Sequence, residues 1–171
     1  GEPPEQRFAA LFVVTGSGQV ELRTASPEAL TVRTAVESVT GGDPTLRFGT
    51  EIPTVASGSG TGLGLTPLVI PGIRGDATFR TNLLLAETTG APVDVLISVY
   101  DALGTRLGST TAYVPAYGKV QINGLVTAVS AGATLALGSA EVSVTAGSGR
   151  VVPLATVLDN RSNSFSALRG N

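Results

Sequence analysis

The sequence predicts an all-β protein: one or more antiparallel β-sandwiches of Ig-like or Greek-key type, with at most one short helical turn. Three observations carry this. Val, Ile, Thr, Phe and Tyr recur in short runs, and these residue types fit a pleated, half-buried surface. Clusters of Gly, Pro, Ser, Asn and Asp separate the runs, giving roughly nine or ten strands about 8–12 residues apart, the spacing of a sandwich or barrel. Apart from a possible turn of helix over 124–130, no segment has a 3.6-residue apolar period.

Taken in order, Phe8–Thr15 is an apolar run behind a leader carrying Pro3 and Pro4. Gly16-Ser17-Gly18 turns the chain into Gln19–Thr24, and Ala25-Ser26-Pro27-Glu28 turns it again. Leu30, Val32, Thr34 and Val36 then alternate with Thr31, Arg33, Ala35 and Glu37, the period of two that puts one face of a strand inward. After Gly41-Gly42-Asp43-Pro44 comes a short extended piece, Leu46–Ile52. Residues 55–66 are Gly/Ser-rich and read as a linker. Leu68–Ile70 is a short strand and Pro71–Asp76 a loop. Strands follow over Ala77–Glu87, Pro92–Tyr100, Thr105–Val114, Lys119–Asn123, Leu135–Thr145 and Arg150–Leu158, with Val120 and Ile122 inward. From Asn160 the chain becomes a polar, Ser-rich tail that Phe165 and Leu168 would dock. The implied organisation is a partial β-module with an N-terminal strand over 1–54, the linker, and a complete sandwich with its tail over 67–171.

The residue inventory narrows the chemistry. His, Cys, Met and Trp are absent, so no imidazole-based triad and no His/Cys metal centre can be built, and no disulfide staples the fold. Lys119 is the only lysine, which leaves Schiff-base chemistry without a supporting motif. The acids are scattered singly through turns and solvent faces rather than paired as a glycosidase needs. A net charge of −2 offers no basic field for nucleic acid, and the longest apolar run falls short of the ~18 residues that span a bilayer. Charged residues are only 14% of a chain whose mean hydropathy is +0.30, a combination that points to a surface partly covered by neighbours. The first residue is Gly1, which reads as a processed chain. No cofactor and no enzymatic activity are expected.

Gly18–Ser38 echoes Gly138–Asn160: Val20/Ala140, Glu21/Glu141, Leu22/Val142 and Val36/Val157 align with a one-residue slip, both segments reading as hairpins. A real repeat would make the second copy, about 66–160, complete and leave the first only its closing strands; any two Gly-turned hairpins, however, also look alike. Arg80-Thr81-Asn82 opening a long strand, the Asp101–Gly104 turn, Gln121 after a Pro/Gly turn and the closing Val157–Asn160 stand in an order that resembles tandem β-sandwich modules at the C-termini of large secreted bacterial surface proteins. The resemblance covers roughly 20–162 and implies secretion to the extracellular space or cell surface, and a sandwich architecture.

Candidate sites are few. Arg74-Gly75-Asp76 is an adhesion-type tripeptide on an expected loop, against which stands ordinary Gly-Asp turn chemistry. Gly58, Gly60, Gly62 and Gly64 fail the spacing of a phosphate loop. Arg80 and Asn82 share a strand face as ligand contacts or as caps of neighbouring backbone; Asp159-Asn160-Arg161 reads as a strand-ending turn; Tyr100, Tyr113 and Tyr117 read as a sugar platform or as sheet packing. An incomplete first sheet would leave unpaired backbone along an edge, so Phe8, Leu11, Phe12, Val13 and Val14 are the candidate strand for pairing between subunits. The expected function is extracellular structural or adhesive work by a protein that assembles with copies of itself, as oligomer or filament, or with neighbouring surface proteins. The rival is a ligand-binding sandwich module, with carbohydrate as the candidate ligand.

Overall fold

The computed structural model describes residues 20, 22, 25, 34–39, 47–52, 54–130, 132–162 and 164–170. It is an all-β sandwich. β1 (Thr34–Val39) and β2 (Arg47–Ile52) pair with each other as a separate antiparallel ribbon. The remaining strands are β3 (Thr61–Gly62), β4 (Leu68–Gly75), β5 (Phe79–Glu87), β6 (Val93–Asp101), β7 (Arg106–Val114), β8 (Lys119–Ile122), β9 (Leu135–Gly147), β10 (Arg150–Asp159) and β11 (Phe165–Arg169). One sheet runs β11-β10-β5-β8, with β3 also on β10; the other runs β4-β9-β6-β7. All pairings are antiparallel.

Period-two alternation builds the core. Thr81, Leu83, Leu85 and Glu87 of β5 face inward, as do Val93, Val95, Ile97 and Val99 of β6 and Ala140, Val142 and Val144 of β9. Val151 and Ala155 of β10 join them, along with Ile70 and Ile73 of β4. Among the described residues one helix, α1 (Leu125–Val129), closes one end by burying Leu125 and Val126 between the sheets. Its position is exacting: a Cβ on Gly75 would overlap Val126, and one on Gly108 would overlap the carbonyl oxygen of Val129. Val120 and Ile122 pack against this core as their alternation predicts.

Three local expectations are corrected. Pro71–Asp76 is not a loop, because β4 continues through Pro71 to Gly75. β4 lies at a sheet edge, where proline's missing N–H costs no ladder bond, and register shifts between Pro71 and Gly75 absorb Gly72 at φ 88°. The tail is not merely docked: β11 pairs with β10 from Leu154↔Arg169 to Leu158↔Phe165, and Leu168 packs on the core. Residues 138–160 are not a hairpin, since β9 and β10 belong to opposite sheets. Gly147 (φ 94°) and Gly149 turn the chain across the sandwich so closely to Ala91 and Pro92 that a side chain at either would overlap backbone oxygen.

Among the described strands, sequence neighbours pair within one sheet only at β1–β2, β6–β7 and β10–β11. The other connections from β4 onward cross between sheets. The segment read as a linker is fastened to the sandwich over part of its length. Gly58 N donates to Thr88 O, Arg150 Nη1 donates to Gly58 O, and β3 pairs with the start of β10.

Candidate functional site

Of the residues singled out by the sequence, Gly75, Asp76, Arg80 and Asn160 come together at one end of the sandwich. Gly75, Asp76, Phe79, Arg80, Asn123, Gly124, Val126, Thr127 and Asn160 line a cleft of about 520 Å³ there. Sequence distance hides this convergence: β4 and β5 bring Asp76 and Arg80, the β8–α1 turn brings Asn123, and the end of β10 brings Asn160.

Most of the polar groups around this cleft already serve the fold. Asp76 Oδ1 accepts the amides of Thr78 (2.7 Å) and Phe79 (2.8 Å), so the carboxylate sets the turn into β5. Arg74 lies in a strand rather than a loop. Its guanidinium sits 3.5 Å over the Phe79 ring, donates through Nε to Ala136 O and stands 3.8 Å from Asp76 Oδ2. Both charged ends of the Arg74-Gly75-Asp76 triplet are therefore drawn back onto the body, with side chains 35% and 25% exposed.

The Arg80-Thr81-Asn82 segment is a set of fasteners. Arg80 Nη1 donates to Asn160 Oδ1 at 2.5 Å, and Asn160 Nδ2 donates to Ala77 O. Thr81, fully buried, accepts from Arg74 N through its hydroxyl and donates to Arg74 O, lacing one sheet to the other. Asn82 Oδ1 accepts Gly124 N and positions the start of α1. Asp101 Oδ1 accepts from Leu103 N and Thr105 N, and Gly104 (φ 81°) completes the β6–β7 turn. Asp159 Oδ1 accepts from Arg161 N and Ser162 N, which hold its carboxyl below the usual range.

Sequence reading missed the most tightly held acid. Glu87 ends β5 on its inward face and is 1% exposed. Its Oε1 accepts the Thr89 amide (2.6 Å) and hydroxyl, with a longer contact from Arg150 N (3.4 Å). Oε2 accepts Gly90 N and Tyr117 N, each at 2.8 Å. Burial pushes this carboxyl up, but the Thr89 hydroxyl and the amides of Tyr117, Thr89 and Gly90 outweigh it and hold it at about 2. Tyr117 adopts φ 50°, a left-handed conformation that aims its N–H at the carboxylate, while its ring lies against Gly90. The available signal was a strand-ending acid followed by Thr-Thr-Gly, whose turn amides are free to be collected.

The sheet edges differ in protection. β4 carries Pro71 and two register shifts, β8 has four residues including Lys119, and β11 has five ending in Arg169. β7 has nine residues, no proline, and Arg106 as its one charge, with Ser109, Thr111 and Tyr113 exposed. Among the described residues nothing pairs with its outer side. Tyr113 lies on this edge and Tyr117 in the Glu87 turn, 61% and 54% exposed, while Tyr100 stands on β6 opposite Arg106. Phe8, Leu11, Phe12, Val13 and Val14, the strand expected between subunits, lie outside the described residues.

Among the described residues no three His, Cys, Asp or Glu side chains gather as a metal site, and no helix is long and apolar enough to cross a membrane. Compared with protein-family models, curated proteins and solved structures, the chain matches none of them.

Proposed function

We propose that the protein is a non-enzymatic extracellular structural module that assembles with copies of itself by pairing sheet edges. The observation that carries this reading is β7, a long edge strand without the proline or brevity that blunts the other edges of the two sandwich sheets. Open edges of this kind present a row of unpaired N–H and C=O groups that recruit another strand. The use of Asp76, Glu87, Asp101 and Asp159 supports it, since each accepts backbone amides at a strand end instead of converging on a cleft as acid and base. The low charge of the chain agrees with a surface that is partly covered in use.

A second reading rests on the cleft beside Arg80. Its volume lies within the ~300–1,000 Å³ typical of small-ligand sites, and it combines an aromatic wall, Phe79, with Arg80, Asn123, Thr127 and Asn160. That lining suits a saccharide or a small carboxylate. Light scattering of the full chain, followed by electron microscopy of the same sample, separates the two. Dimers or larger regular species are expected; a clean monomer near 17.2 kDa overturns assembly and makes ligand titration of the cleft the next experiment.

A further inference from the structure

We infer that β7 pairs with β7 of a second copy about a two-fold axis at Thr111, joining two four-stranded sheets into one continuous sheet. This rests on the assembly reading above and specifies its partner, surface and register. β7 is regular from Gly108 to Val114; its N-terminal end is distorted where the pairing skips from Val99↔Gly108 to Tyr100↔Arg106. The centre of the regular stretch is Thr111.

An antiparallel pair centred there sets Thr111 opposite its own copy, Ser109 opposite Tyr113, Thr110 opposite Ala112, and Gly108 opposite Val114. Away from the axis each larger side chain meets a smaller one, and every pair keeps its members on the same sheet face, as the alternation of exposed Ser109, Thr111 and Tyr113 with more buried Thr110, Ala112 and Val114 requires. Tyr113, 61% exposed in the single chain, gains cover beside a serine. Arg106 falls outside the paired stretch, so no like charges meet across the axis.

A two-fold contact uses the same edge on both copies and so closes on itself. Because β4, β8 and β11 are blunted, this edge by itself yields a dimer rather than a filament.

The test uses the full chain and a pair of charge variants at Thr111, whose exposed position leaves the core untouched. Thr111→Lys sets two lysines directly opposite each other, and Thr111→Glu sets two glutamates. Each is expected to run as a monomer of about 17.2 kDa by light scattering, with native circular dichroism, while the parent chain runs at twice that mass. Mixing the two variants is expected to restore the dimer through a Lys–Glu pair. Thr111→Lys at the parental dimer mass, or folded variants that fail to associate on mixing, overturns the two-fold. A monomeric parent chain overturns assembly itself, so the two failures are distinguishable.

Discussion

Replacing Glu87 by Gln tests how far one buried carboxylate holds the sandwich together. The substitution keeps shape and volume but removes the charge, and it turns one acceptor oxygen into an NH2 group. Both oxygens face donors: Thr89 N and its hydroxyl on one side, Gly90 N and Tyr117 N on the other. Either amide orientation therefore sets donor against donor. The carboxyl is held at about 2 against an ordinary 4.5. At roughly 1.4 kcal/mol per pH unit, the ionised form is worth about 3 kcal/mol to the folded state. The sign follows from the depressed value. This stability is fully present above pH 4.5 and is lost as the pH falls toward 2. Urea unfolding at pH 7 is expected to show a loss of about 3 kcal/mol, a midpoint shift of about 1.5 M for an m-value near 2 kcal/mol/M. Between pH 4.5 and 2 the parent chain should lose stability that the variant no longer has to lose. A variant within about 1 kcal/mol of the parent at pH 7, with the same acid slope, refutes the argument.

Three further outcomes follow from the turns. Gly149→Ala places a Cβ into the Ala91 carbonyl oxygen, and neither backbone can retreat without breaking the β9–β10 crossing, so a loss of about 3 kcal/mol or more is expected on urea unfolding. Gly104→Ala is the contrast: φ is 81° and the space is open, so strain alone is expected to cost about 1 kcal/mol. Asp101→Ala removes the acceptor for Leu103 N and Thr105 N; in this exposed turn the expected cost is about 1 kcal/mol, read as a fall in melting temperature of a few degrees.

The strands with clean alternation were legible. β5 to β10 stand close to where the sequence places them, and α1 falls within the one helical turn read over 124–130. What the sequence conceals is partnership. Gly147-Ser148-Gly149 has the composition of a hairpin turn, yet it carries the chain from one sheet to the other, because turn residues specify a reversal and not which sheet receives it. Pro71-Gly72 breaks a central strand but not an edge strand, and edge status is a property of the assembled sheet. The polar character of 160–171 hid β11, whose Leu168 is enough to anchor it beside β10. Glu87 was invisible for a related reason. Its inward direction follows from the parity of Leu83 and Leu85, and Thr89 and Gly90 follow it closely, but the donors Tyr117 N and Arg150 N come from segments distant in the chain.

Those donors explain how the fold manages without disulfides. Residues 88–92, 115–118 and 148–149 connect β5 to β6, β7 to β8 and β9 to β10, crossing between the sheets at the end of the sandwich where β5 finishes. Glu87 collects amides from Thr89 and Gly90 in the first crossing and from Tyr117 in the second, and its Oε1 reaches Arg150 N just after the third. Thr88 adds a bond from its N–H to Arg150 O and one from its hydroxyl to Ser59 O. A covalent crosslink would fasten two of these segments; a carboxylate with several lone pairs fastens all three, at the cost of requiring its charge. At the opposite end, Asp76, the Thr81 hydroxyl, Asn82 and Asn160 fasten the crossings without relying on one group. Acid should therefore loosen the Glu87 end first. The Arg80 cleft lies away from that end, but the paired stretch of β7 runs through Val114 into the 115–118 crossing that Glu87 holds, so association reports on β7 alone only above pH 4.5, where this carboxylate keeps its charge.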